Sequence, residues 1–315
     1  MGRTIDERVS DSEIVAAISG RQRICRLSNI IIVISYFGIP ACPICSLIFW
    51  SRSIIVGVTF ATLLVVCILT CVFLGKRTRK LESTIKEMAG QYIVKDVLST
   101  RIEVNEYSPE RFINGDFAEK CSILPSFNKI SGSDYVSGSY RGKRFVFCDL
   151  TLEIEEKYKD RNGHNRTRTT PRFQGQLMKL DLGQQIPGSI QITERKNPRK
   201  SKGFLAGLFG GDSYRGTIKT SNEAFNNQFD VRATTEELAY QFLTPQFMES
   251  VMRTDQLASG YTNIEFDGTS VVVTFNNGKD AFELKKTLSS RKRLNQYRQD
   301  FSVELDIILG IFDQI

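Results

Sequence analysis

Few side chains in this sequence could carry acid–base, metal or nucleophilic chemistry, and their spacing excludes most familiar arrangements. There is one histidine, His164, inside Arg161-Asn162-Gly163-His164-Asn165-Arg166, a loop by composition. A histidine-based triad or a histidine-rich zinc site would have to rest on that residue alone. It reads as a surface histidine. Cys42-Pro43-Ile44-Cys45 has the spacing of a thiol redox pair, and Cys67 with Cys71 has the i, i+4 spacing of two ligands on one helix face. All four lie in uncharged stretches, where a thiolate is costly and cysteine behaves as a small hydrophobe. In a helical hairpin Cys67 would also sit roughly 20 Å below Cys45, too far for one shared site. Gly203 and Gly207 to Gly211 lack the Lys-Ser/Thr ending of a phosphate cradle. Glu153, Glu155, Glu156, Glu236 and Glu237 read as solvated carboxylates. No cofactor or metal is expected, and a non-enzymatic role is favoured. The alternative is a membrane-bound enzyme with a carboxylate- or serine-based site that the sequence does not display.

Basic clusters are the remaining functional signal. They are Arg161, Arg166, Arg168 and Arg172; Arg195, Lys196, Arg199, Lys200 and Lys202; and Lys285, Lys286, Arg291, Lys292 and Arg293. The net charge of +7 comes from 42 Lys and Arg against 35 Asp and Glu. Residues 1–80 hold ten of the basic and four of the acidic residues, which leaves 32 and 31 for positions 81–315. That balance gives no reason to expect nucleic acid. Basic residues held near an anionic leaflet attract headgroups by ~1 kcal/mol each. Arg195, Lys196, Arg199, Lys200 and Lys202, with Phe204 and Leu205 directly after them, are therefore the candidate lipid contacts.

Two long uncharged segments dominate the N-terminal region, Asn29–Trp50 and Ile54–Leu74. A helix needs roughly 20 apolar residues to cross the hydrocarbon, and both segments qualify. Only Ser51, Arg52 and Ser53 separate them, so the expectation is an antiparallel hairpin of two spans, residues 29–50 and 54–74. Pro40 and Pro43 predict a kink, and Trp50 suits the headgroup region. Arg21, Arg23 and Arg26 precede the first span and Lys76, Arg77, Arg79 and Lys80 follow the second, whereas the turn has Arg52 alone. Retention of Lys and Arg on the inner side predicts that both termini are cytoplasmic. The Asn165-Arg166-Thr167 sequon would then escape glycosylation. A cleaved leader would need a shorter apolar core. Four of seven cysteines fall in the spans, a distribution that fits a reducing compartment.

Beyond the spans the pattern divides further. Residues 1–28 form an N-terminal cytoplasmic segment. Residues 75–100 form a juxtamembrane helix with Leu81, Ile85, Met88 and Tyr92 on one face, a stripe that could also pair with a second copy, and with Gly90 as a weak point. Residues 101–286 form the soluble domain. Strands are expected at Asp134–Tyr140, Lys143–Ile154, Phe173–Leu182, Ile186–Thr193, Asn263–Phe266 and Thr269–Phe275, and helices at Glu236–Phe242 and Pro245–Leu257. Thr244 should cap the second of these helices with Pro245 at its first position. Residues 287–315, with Leu294, Tyr297, Phe301, Leu305, Ile308, Phe312 and Ile315 at helical spacing, predict an amphipathic helix. The class is α+β.

The order of these features resembles the family known as the domain of unknown function 3137, uncharacterised and mainly bacterial membrane proteins. The residues that carry the resemblance are Ser122-Ile123-Leu124, Ser131 through Gly138, Phe145 through Leu150, Phe173-Gln174-Gly175, Phe225, Phe229 and Asp230, Leu243-Thr244-Pro245, and Asp280-Ala281-Phe282-Glu283. This chain departs from the pattern where Ser131-Gly132-Ser133 replaces a usual acidic residue before Asp134, and in its Arg-rich and Gly-rich inserts. The resemblance implies a bacterial inner-membrane location and the α+β domain, with no catalytic residues to carry over. The functional expectation is a membrane-anchored cytoplasmic module that binds a protein partner or an anionic lipid surface.

Overall fold

The structure is a computed structural model that describes residues 11–50, 54–161, 163–197, 215–282 and 288–315. The chain divides into two compact units, Met1–Ile93 with Leu284–Tyr297, and Val94–Glu283 with Arg298–Ile315.

Two helices make most of the first unit, α1 over Asp11–Trp50 and α2 over Ile54–Ala89. At ~1.5 Å rise per residue each exceeds about 50 Å, well beyond the ~30 Å of bilayer hydrocarbon. They pack antiparallel, with the Cys71 thiol 3.9 Å from the Ile32 carbonyl oxygen. Ile14, Ile18, Cys25, Ser28 and Ser35 are buried on α1, and Thr78, Ile85 and Ala89 on α2. Alternating three-, four- and seven-residue steps of this kind mark a helix–helix seam. Nearer the hairpin tip large apolar residues are exposed: Leu27, Ile30, Val33, Ile34 and Phe37 on α1, and Ile55, Val65, Leu69, Val72 and Phe73 on α2. Among the described residues one helix, Val58–Leu98, is long and apolar enough to cross a membrane. Gly90 is where α-helical geometry gives way, to a π turn over Gly90–Val94 followed by α3, Lys95–Leu98. Leu288 and Arg291 also belong to this unit. The Leu288 N–H donates to Gln22 Oε1 at 2.8 Å, and Arg291 pairs with Asp11 at 3.3 Å.

The second unit is built on a nine-stranded antiparallel sheet. In chain order its strands are β1 Glu103–Ser108, β2 Lys129–Tyr140, β3 Lys143–Lys159, β4 Asn165–Asp181, β5 Ser189–Glu194, β6 Arg215–Ile218, β7 Phe229–Ala233, β8 Tyr261–Asp267 and β9 Ser270–Asn276. In space they run β1-β2-β3-β4-β9-β8-β5-β7-β6. Its helices are α4 Gly115–Lys120, α5 Glu223–Gln228, α6 Glu236–Phe242 and α7 Pro245–Ala258, with the part of α8, Arg291–Gly310, that follows Tyr297. Thr244 caps α7 as its sequence predicts, accepting from the Phe247 N–H at 3.1 Å with Pro245 in the first turn. Arg141 and Gly142, both at positive φ, make the two-residue β2–β3 turn.

Strand pairing sorts the core onto two faces. Phe145, Phe147, Met178, Val273, Ile264 and Ile192 share one face. Phe145 meets Phe312, Phe147 meets Phe282, and Phe266 meets Phe242 and Phe247, all with ring centroids within 6.0 Å. On the other face Cys148, Leu150, Leu152, Leu177 and Val272 pack with Ile113, Ala118, Ile123 and Leu124.

The α+β class and each expected strand and helix of this unit are present. The differences lie where polar residues hide strand character. The loop expected around His164 is present at Asp160–Arg161 and Gly163–His164, but the strands run on to it beyond their expected ends: Glu155–Lys159 and Asn165–Arg172 form a long β3–β4 ribbon with Glu156 opposite Arg168 and Tyr158 opposite Arg166. Both its faces are exposed, so no apolar alternation marks it. The short strands β1, β6 and β7 were also not anticipated.

Gly175 shows how closely β4 and β9 approach. Its φ is +153°, and a Cβ there would lie 1.9 Å from the Phe275 carbonyl oxygen. Gly175→Ala should therefore destabilise the second unit by about 3 kcal/mol, read by denaturant unfolding of the detergent-solubilised full-length protein.

Candidate functional site

Three carboxylates converge at one end of the sheet. Asp149 lies on β3, Asp134 in a bulge of β2, and Asp280 just past β9, and their carboxylate oxygens lie within 4.8 Å of one another. Asp134 and Asp149 are buried. The bulge between Ser133 and Val136 re-aims the strand, and Asp134 itself takes φ +56°, a left-handed conformation that Asp tolerates better than most residues. Tyr107 Oη donates to Asp134 Oδ1 at 2.5 Å. Burial, then the Asp134 charge, raises the Tyr107 pKa, which keeps the phenol protonated as a donor.

Asp149 is held from two sides. Gln176 Nε2 donates to its Oδ1 and the Ala281 N–H to its Oδ2, each at 3.0 Å. Burial pushes its carboxyl well above the usual range, and the charges of Asp280 and Asp134 push it further. Like charges at this spacing cannot all ionise without compensation. A shared proton meets the requirement. A divalent cation is the other means, and Asp134, Asp149 and Asp280 are the residues whose spacing could hold one.

Gln176 links this cluster to a cleft. Its Oε1 accepts from Asn277 Nδ2 at 2.8 Å and its Nε2 also donates to the Lys279 carbonyl at 2.9 Å. The cleft, about 50 Å³, is lined by Gln176, Asn277, Lys279 and Glu304 with Leu257, Phe275 and Ile307. That is room for a few water molecules.

Residues 171–315 match the model of a protein family of unknown function, DUF3137. The matched segment covers less than half of the chain. It contains Gln176, Asn277 and Asp280, while Asp134 and Asp149 precede it. No curated protein matches. The fold is also similar to the crystal structure of the mycobacterial trehalose monomycolate transport factor A, TtfA, with 11% identity and a TM-score of 0.34 over 70% of this chain and 95% of that one. A likeness of that size carries no functional argument.

The residues singled out from sequence are placed differently. Arg195 is paired with Asp230 at 2.9 Å and donates to the Phe229 carbonyl, and Lys196 is exposed beside it. Arg199, Lys200, Lys202, Phe204 and Leu205 lie outside the described residues. His164 is exposed near the ribbon tip, where Asp160 Oδ1 lies 3.6 Å from its Nδ1. Cys67 and Cys71 are free thiols. Sequence reading missed the aspartate cluster, although Asp149 carries a signal: a carboxylate in the apolar run Phe145-Val146-Phe147-Cys148-Asp149-Leu150. All three aspartates also fall within the residues that carried the family resemblance.

Two further carboxylates in the matched segment are desolvated. Glu265 on β8 accepts from the Ser122 N–H at 3.3 Å and from the Ser122 hydroxyl, and Gln191 Nε2 donates to it at 3.3 Å. Burial raises its pKa against these bonds. Its acceptors pin the 121–124 turn to the sheet. Glu194, at the end of β5, accepts from the Thr262 N–H at 3.3 Å and lies beside Asp255 of α7, which accepts from Gln228 Nε2 at 2.5 Å.

Two predictions follow from these geometries. Asp149→Ala leaves the Gln176 and Ala281 donors without their acceptor and should cost about 2–4 kcal/mol, whereas Asp149→Asn keeps an acceptor and should cost less; unfolding in denaturant compares them. Burial, and then the Asp255 charge, push Glu194 up to about 7 from an ordinary 4.5. Between those values the folded chain holds a proton that the unfolded chain has lost. The contribution is full below the lower value and disappears as the pH rises through about 7. Thermal unfolding should show that decline in the wild type, and a shallower slope in Glu194→Gln.

Proposed function

We propose that this protein is a two-pass membrane protein with both termini cytoplasmic, in a bacterial inner membrane, and that its sheet domain is a binding module for a protein partner. The observation that carries the anchor is the band of exposed apolar residues on both helices, from Leu27 to Phe37 on α1 and from Ile55 to Phe73 on α2. Such a surface is unfavourable in water by roughly 25 cal/mol per Å², and a bilayer removes that cost. The exposed β3–β4 ribbon supports a binding role. Glu155 to Lys159 and Asn165 to Thr169 present Glu, Lys and Arg side chains with Tyr158 to solvent, a surface suited to a polar protein rim. The pairing of Arg195 with Asp230 speaks against its contribution to a lipid-binding cluster.

The aspartate cluster favours a second reading, an enzyme using carboxylate acid–base chemistry. Asp149, kept protonated, would be the acid and Gln176 its positioning residue. The small cleft is the argument against it.

The anchor predicts that the full-length protein stays in the membrane through an alkaline carbonate wash and that a C-terminal fluorescent reporter folds only in the cytoplasm. Recovery in the wash, or a reporter active only outside, overturns it. Site-specific cross-linkers at Tyr158 and Lys157 should trap a discrete protein adduct that is lost when the ribbon is shortened to residue 154. An adduct unaffected by that deletion removes the ribbon from the proposal.

A further inference from the structure

The 68 residues from Ile14 to Leu81 contain no Asp or Glu, yet they contain Arg21, Arg23, Arg26, Arg52, Lys76, Arg77, Arg79 and Lys80. The helix pairing gathers most of these at one level. Ile32 lies opposite Cys71, and six residues further from the tip on each helix stand Arg26 and Arg77. Arg23, Lys76, Arg77, Arg79 and Lys80 are all exposed and, among the described residues, have no ion-pair partner. Immediately above them the apolar band begins, with Leu27 61% and Phe73 66% exposed.

We infer that this collar is a binding site for anionic phospholipid headgroups. The inference rests on the membrane anchor proposed above and adds the lipid class and the residues. Charge complementarity argues for it: Arg23, Lys76, Arg77, Arg79 and Lys80 outnumber the one adjoining carboxylate in sequence, Glu82, and the neighbouring apolar surface fits the acyl chains of the same lipid. Long Lys and Arg stems also cover apolar surface while their heads remain at the interface. Four of the cations fall within five residues of α2, so a headgroup phosphate could take donors from adjacent side chains.

The test is native mass spectrometry of the detergent-solubilised full-length protein, equilibrated with equal amounts of phosphatidylglycerol and phosphatidylcholine. Each cation near a surface raises the preference for an anionic lipid about five-fold, so the wild type should retain phosphatidylglycerol at least about tenfold over phosphatidylcholine. Replacing Lys76, Arg77, Arg79 and Lys80 together with Gln should bring the ratio close to one, while Arg77→Lys with Arg79→Lys should preserve it. The inference is overturned if the wild type shows no preference, if the Gln variant keeps it, or if Arg199→Gln with Lys200→Gln and Lys202→Gln abolishes it instead. Extraction separates this from the anchor: a wild type that needs detergent but lacks lipid preference sinks the collar alone, and one recovered without detergent sinks both.

Discussion

The second unit depends on a central antiparallel pair, β3 with β4, that must be covered on both faces. Phe145, Phe147 and Met178 point one way, and Cys148, Leu150 and Leu177 the other. Each face therefore needs its own apolar layer. The chain provides them from separate regions: Phe282, Phe301 and Phe312 for one, and the segment around Ile113 to Leu124 for the other. This two-sided demand explains why β9 and β8 insert between β4 and β5, because a hairpin from late in the chain widens the surface that both layers can bury.

Buried carboxylates are the exceptions that such a core must accommodate. Asp149, Glu265 and Asp255 sit within it, and each accepts donors placed by neighbouring strands or turns. Their desolvation is met differently in each case. Asp149, Glu194 and Glu265 all move toward protonation, but at Glu265 hydrogen bonds oppose the rise that burial causes, whereas at Asp149 and Glu194 neighbouring carboxylates add to it. An ordinary structural carboxylate resembles the first case; paired carboxylates are the arrangement associated with proton handling.

Much of this fold was legible wherever a residue pattern had one physical cause. Alternation marked β3 through Ile154 and the β8–β9 hairpin, Thr244-Pro245 marked the start of α7, and Gly90 marked the change from α-helix to π turn. The ribbon beyond Ile154 was hidden because a strand exposed on both faces needs no apolar alternation. The site was hidden for another reason. Asp134, Asp149 and Asp280 are separated by up to 146 positions in the chain, and only strand order brings β2, β3 and the end of β9 together. Asp149 alone announced itself, as a charge among apolar neighbours.

The two long helices change composition along their length. On Leu27–Phe37 and Ile55–Phe73 the exposed positions are mostly Ile, Leu, Val and Phe. Away from these stretches the same helices turn polar outside and keep a narrow buried stripe, Ile14, Ile18 and Cys25 on α1 and Ile85 and Ala89 on α2. Acidic residues resume at Glu82, past the cations. Between Ile14 and Leu81 the chain is thus cationic without an acidic residue, and Glu82 is the first to offset that charge. The change from an apolar to a polar surface is marked in charge as well as in hydropathy, because the basic residues sit where the exposed apolar band stops.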